Sequence, residues 1–177
     1  NLKDLCLSFN AITTVPDAID SLALLKTLIL TGNSISHISS HLGNLKQLRL
    51  LDIRGNLIHD CSGVAQLSSL NELRADFNNI SNLSHLSWKF MAMLQLEHNG
   101  LTSVTFSQSL LHCKVVNLAA CKLAGLPEDF FNYLPNVHTV ILDENQLTRL
   151  PESTSSAAWL EVLSAANNTL NSVDLQF

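Results

Sequence analysis

Apolar residues recur along this chain in one short cadence. Leu2, Leu5 and Leu7 are followed by Asn10 and Ile12, with more variable residues between them. The cadence returns as Leu25, Leu28, Leu30, Asn33, Ile35, then as Leu48, Leu51, Ile53, Asn56, Ile58, and then as Leu70, Leu73, Ala75, Asn78, Ile80. Four more copies follow: Met91, Leu94, Leu96, Asn99, Leu101; Cys113, Val116, Leu118, Cys121, Leu123; Val137, Val140, Leu142, Asn145, Leu147; and Leu160, Leu163, Ala165, Asn168, Leu170. The anchors at 10, 33, 56, 78, 99, 121, 145 and 168 are spaced 23, 23, 22, 21, 22, 24 and 23 residues apart. Two apolar residues separated by one other have period 2, so each copy predicts a short strand with those side chains on one face. A single copy has too little apolar area to fold alone. Stacked copies put their strands side by side in a parallel sheet and share one core.

The asparagine stands where the chain leaves the strand. Its amide can donate to and accept from turn backbone that the strand ladder no longer satisfies. Asn10, Asn33, Asn56, Asn78, Asn99, Asn145 and Asn168 are predicted to form such a ladder, with Cys121 as a tolerable but poorer substitute. The second half of each repeat supplies Ile19 and Leu22, Leu42 and Leu45, Val64 and Leu67, or Phe130 and Leu134. These should line the convex layer as short helices, 3₁₀ turns or extended segments. Pro16, Pro127 and Pro151 each fall six residues after an anchor, where proline pre-sets the next segment. Trp88-Lys89-Phe90 and Thr105–His112 match the pattern poorly, so the local curvature is expected to change there.

Composition narrows the function. Leucine supplies 35 of 177 residues, whereas charged residues make up 14% and the net charge is -5. No apolar run reaches the ~18 residues of a membrane span, and the apolar content is too high for disorder. With no Lys/Arg cluster in the sequence, nucleic acid is not an expected partner. The chain starts without methionine and stops inside an apolar pattern at Leu175-Gln176-Phe177. It is therefore expected to be an uncapped piece of a longer array, one repeat domain over 1–177 whose exposed ends, Leu2 and Leu5 on one side and Leu175 and Phe177 on the other, would fray.

Little points to catalysis. Cys6, Cys61, Cys113 and Cys121 fall at unrelated repeat positions, which favours free thiols in a reducing compartment. Cys113 is a core position by register, hence an inert thiol. The sequons at Asn79, Asn82 and Asn167 arise readily in asparagine-rich repeats. His37 and His41 have metal-ligand spacing only on a helix and lie in a turn region, so no metal site is expected. Glycines are scattered, and no catalytic triad or dyad is recognisable.

The variable strand positions should face the concave side. Asp52, Arg54, Glu72, Arg74, Asp76 and Glu97 fall on three adjacent central strands, with Gln95 between them and Phe77 and His98 alongside. At ~4.8 Å per strand they share one patch. One reading is a solvated face whose opposite charges pair across strands. The other is a partner-binding hot spot anchored by Arg54, Arg74 and Phe77 inside an acidic rim.

The repeat covers the whole chain and is identified as a leucine-rich repeat. The fold class is thus an α/β solenoid, a horseshoe with a parallel concave sheet and about eight repeats of 21–24 residues. The Val15-Pro16, Leu126-Pro127 and Leu150-Pro151 pairs resemble the intracellular, Ras-associated class. Leu73-Arg74-Ala75-Asp76-Phe77-Asn78-Asn79, Leu94 to Thr102 and Leu126-Pro127-Glu128-Asp129-Phe130-Phe131 resemble the repeat region of fungal adenylate cyclases. That resemblance implies a non-catalytic segment that receives a GTP-loaded Ras-type GTPase. Cyclic AMP would be made by a distant magnesium-dependent domain, and this segment would hold no cofactor. It also implies an intracellular place, cytoplasmic or at the inner membrane surface through partners, without membrane insertion. Two alternatives remain: an intracellular scaffold or phosphatase-linked adaptor with a non-GTPase partner, and a receptor ectodomain.

Overall fold

The computed structural model describes residues 1–83 and 88–172. The strands form where the cadence predicts them: β1 Asp4–Cys6, β2 Thr27–Ile29, β3 Leu50–Asp52, β4 Glu72–Arg74, β5 Met93–Gln95, β6 Val115–Asn117, β7 Thr139–Ile141 and β8 Val162–Ser164. They make one open sheet in chain order, and every pairing is parallel. Leu5, Leu28, Leu51, Leu73, Leu94, Val116, Val140 and Leu163 lie directly opposite one another across the sheet. The differing repeat lengths therefore never disturb the register, and the extra or missing residues are absorbed on the convex side.

That side carries short 3₁₀ helices at Asp17–Ser21, Ser40–Asn44, Ser62–Val64, Phe130–Tyr133 and Glu152–Ser156. Their buried residues include Ile19, Leu42, Val64 and Phe130, so the predicted convex positions do face the core. No α-helix occurs among the described residues. Residues 101–113 form no 3₁₀ helix either, and there aromatic rings fill the space. Phe106 packs at 5.8 Å from Phe130 and 6.2 Å from Tyr133. Trp88 is buried, and its indole N–H donates to the Val64 carbonyl at 3.2 Å. The irregular repeats thus leave the sheet intact between β4 and β6.

One apolar core runs the length of the sheet. At ~25 cal/mol per Å², a buried leucine contributes roughly 2 kcal/mol, and every repeat adds several. The asparagine ladder stitches the repeats together beside it. Each amide from Asn33 onward bonds within its own turn and back to the preceding repeat. Asn56, for example, accepts from Ile35 N–H at 3.0 Å and donates to Leu30, Ile53 and Arg54 carbonyls at 3.1, 2.9 and 3.2 Å. Asn33, Asn78, Asn99, Asn145 and Asn168 repeat this pattern. Asn10 bonds within its own turn, to the Leu7 and Ser8 carbonyls. Cys121 keeps one link, its thiol donating to the Leu96 carbonyl at 3.4 Å.

Leu2 is 45% exposed and Leu5 partly buried at the β1 end. Leu175 and Phe177 lie outside the described residues, as does Ser84 of the second sequon.

Candidate functional site

Alternation along each strand sends one residue inward and its neighbours to the concave face. The residue just before each anchor has a feature that the sequence pattern does not reveal: its backbone is left-handed in all eight repeats. Phe9, Gly32, Gly55, Phe77, His98, Ala120, Glu144 and Asn167 have φ between 48° and 66°. The two glycines, Asn167 and His98 are of types enriched there, whereas Phe9, Phe77, Ala120 and Glu144 are not. Gly32, Gly55 and Asn167 are the sequence signals of this conformation. Gly32 has a second reason to lack a side chain, since a Cβ would come within 2.6 Å of the Phe9 ring.

The left-handed turn holds its side chain out from the strand exit. Phe77 is 57% exposed and stacks on His98, with ring centroids 4.5 Å apart and planes inclined by 21°. Phe9, at the β1 end, is 82% exposed.

The central charges do come together, but they pair along strands rather than across them. Arg54 grips Asp52, two residues earlier on the same face, through Nε at 3.0 Å and Nη2 at 2.6 Å. Arg74 binds Glu72 through Nε at 2.6 Å. Asp52 is buried and also accepts from the Thr31 hydroxyl at 2.7 Å. Burial alone would raise its pKa, but the bonds from Arg54 and Thr31 together hold it below the usual carboxylate range. The two arginines named as anchors are thus already partnered.

The uncompensated charges are Asp76 and Glu97. Asp76 is buried, and its Oδ1 accepts from Glu97 N–H at 2.9 Å. Burial pushes its carboxyl up, and the Glu97 charge adds to this. Glu97 accepts from the Asn117 amide at 3.0 Å and has His98 Nε2 at 3.5 Å. Gln95 sits in β5 opposite Arg74 and Asn117. Further along, Asp143 accepts from Ser164 Oγ at 2.6 Å and Ala166 N–H at 2.7 Å, as Asp76 does from Glu97. The patch is therefore a stacked aromatic pair beside two carboxylates, bordered by two closed ion pairs. It can hold an apolar or cationic group of a partner. It offers no nucleophile.

The other motifs separate. His37 meets Ser36 and the His59 ring, whereas His41 meets Asp20 at 3.0 Å. All four cysteines are free. Burial pushes the Cys61 and Cys113 thiols up to about 12 and Cys121 to about 11, which leaves them unreactive. No helix among the described residues is long and apolar enough to cross a membrane.

No family model matches the chain. Two curated proteins are similar in sequence. An adenylate cyclase of Podospora anserina is 37% identical over 151 residues, 85% of this chain and 7% of that protein. An adenylate cyclase of Mycosarcoma maydis is 33% identical over 109 residues, 60% of this chain and 4% of that protein. The chain thus spans a small fraction of the curated relatives it matches. Among solved structures, a leucine-rich repeat protein of Leptospira interrogans superposes with a TM-score of 0.87 at 26% identity, over 97% of this chain and 45% of that one. A fold of this kind is a non-catalytic module with a broad, rigid face for protein partners. Repeat, ladder, sheet and likenesses agree: the chain has the leucine-rich repeat fold and is similar, over most of its length, to a short stretch of fungal adenylate cyclases.

Proposed function

We propose that the concave centre receives a folded protein. Phe77 and His98 serve as its apolar anchor, and Asp76 and Glu97 as the charges that select it. The observation that carries this reading is the Phe77 ring, 57% exposed yet fixed by its backbone and by stacking. A rigid exposed aromatic beside charge is the kind of group that dominates binding energy. The likeness to fungal cyclases supports a finer version. In it the chain is the regulatory repeat segment of an intracellular adenylate cyclase that makes cyclic AMP elsewhere, and the partner is a Ras-type GTPase in its GTP form. Arg54 and Arg74 then meet acidic groups of the GTPase only by sharing them with Asp52 and Glu72.

Calorimetry against the GTPase loaded with a GTP analogue or with GDP tests this. Phe77→Ala and Glu97→Gln should each weaken the GTP form by roughly tenfold or more, with unchanged circular dichroism. Reversing Arg54 and Arg74 to glutamate is a poorer probe, because buried Asp52 would then face a second carboxylate. Equal binding of both nucleotide states would point to an adaptor with a non-switching partner. Full affinity in Phe77→Ala would move the contact away from this patch.

A further inference from the structure

Parallel strands all begin on one side, so their starts form a continuous rim along the solenoid. Each strand from β2 onward is preceded by a two-residue turn, at 23–24, 46–47, 68–69, 89–90, 111–112, 135–136 and 158–159. Just inside the turns runs a column with one residue per repeat, from Lys3 to Glu161. Each N–H in it donates to the carbonyl before it at 2.7–2.9 Å. Over seven strand spacings the rim is about 35 Å long.

This rim gathers charge that is scattered in the sequence. Lys3, Lys26, Lys46, Arg49, Lys89 and Lys114 stand on it, all exposed. They are six of the chain's ten Lys/Arg, and the turns and column contain one of its 15 Asp/Glu, Glu161. None of the six forms an ion pair among the described residues; Lys46 and Lys114 donate to carbonyls of Gly43 and Asn136. The rest of the molecule, with four cations and 14 carboxylates, is strongly acidic. Among the cations the turns expose large apolar side chains, Leu24 at 42%, Phe90 at 47% and Leu111 at 56%, and beyond the last cation, near Glu161, they expose Trp159 at 61%. Phe90 and Trp159 are steadied by stacking on His112 and His138. A shallow recess beside Phe90 is lined by Arg49, Ser69 and Asn71; the guanidinium and the serine hydroxyl can face a phosphate there, while the Asn71 amide donates to the Phe90 carbonyl at 2.9 Å.

We infer that this rim is a docking edge for an anionic phospholipid surface, separate from the concave patch and independent of the partner that patch receives. Cations attract the negative headgroups, while leucine and aromatic tips reach the headgroup boundary. The apolar tips stand one to a turn along the line. A flat, fluid anionic surface meets such a line along its length, whereas a folded acidic protein would need matching relief. The strand register builds this rim from residues about 23 apart, so no cluster appears in the sequence itself.

The test uses the 177-residue chain and vesicles of phosphatidylcholine, with or without about one-third phosphatidylserine. The chain should sediment with the phosphatidylserine vesicles, be released as salt rises from about 0.1 to 0.5 M, and ignore pure phosphatidylcholine. Replacing Lys26, Arg49 and Lys114 together by glutamine should weaken binding at least about tenfold. Brominated lipid should quench Trp159 and spare Trp88, which is buried, and Trp159→Phe should abolish the quenching. The inference is overturned by equal binding to both vesicle types, by phosphatidylserine binding that leaves Trp159 unquenched or survives the triple substitution, or by capture of a soluble acidic protein without any vesicle binding.

Discussion

Cys121→Asn should stabilise this protein, and the ladder says by how much. At Asn145, the equivalent position one repeat on, the amide donates to Leu118, Leu142 and Asp143 carbonyls at 2.8, 3.0 and 3.1 Å and accepts from Leu123 N–H at 3.0 Å. Cys121 offers one weak thiol bond at 3.4 Å, and the Leu101 N–H faces sulfur rather than an amide oxygen. An asparagine at 121 would give Leu101 N–H an oxygen acceptor and replace the thiol bond with an N–H···O bond. Two improved buried hydrogen bonds are worth about 2 kcal/mol, from which ordering and desolvating a new amide removes roughly half. A net gain of about 1 kcal/mol raises the melting temperature by roughly 2–4 °C in a chain of this size. Urea denaturation followed by circular dichroism measures the gain, and hydrogen exchange at the Leu101 amide localises it. The converse change, Asn78→Cys, should cost at least as much. If Cys121→Asn melts no higher than the parent while Asn78→Cys is harmless, the ladder is not the stabilising device described above.

Other substitutions probe other parts of the fold. Asp76→Asn should raise the urea midpoint at neutral pH, since burial disfavours the native carboxylate and an amide oxygen can still accept from Glu97 N–H. The folded-state pKa of Asp76 is raised, so the native state binds its proton more readily than the unfolded chain does. The parent therefore gains stability as pH falls through that pKa, and the advantage of Asp76→Asn should shrink over the same window; a constant difference would contradict the assignment. Gly63→Ala should destabilise by roughly 1–3 kcal/mol in thermal melts, because a Cβ at this buried position would run into the Ile38 carbonyl oxygen.

The leucines made the strands and their register legible, because a period of two repeated about every 23 residues admits one sheet. Convex positions such as Ile19 and Phe130 were legible for the same reason, although their 3₁₀ form was one of three options. The left-handed column was hidden, because Phe77 and Glu144 carry no conformational signature of their own and adopt φ near 55° through the turn around them. Of the two readings of the central charges, pairing across strands and a hot spot anchored by the arginines, neither places Arg54 on Asp52 or Arg74 on Glu72. Residues two apart on one strand share a face and fix each other's rotamers locally, and that contact won. Asp76 and Glu97, first read as the rim of an arginine-centred patch, become its unbalanced charge once the arginines are closed. The basic edge was invisible because proximity there is a property of stacking, not of sequence distance.

The left-handed residue before each anchor has a consequence for how such a surface changes over time. Its backbone angles are imposed by the ladder and the strand exit, and phenylalanine, glycine, histidine, alanine, glutamate and asparagine all occupy it in this one chain. The position behaves like a socket that takes plugs of several shapes without rewiring the wall behind it. Eight such sockets at a fixed spacing of ~4.8 Å allow a lineage to exchange partners one tip at a time while the core and ladder stay as they are.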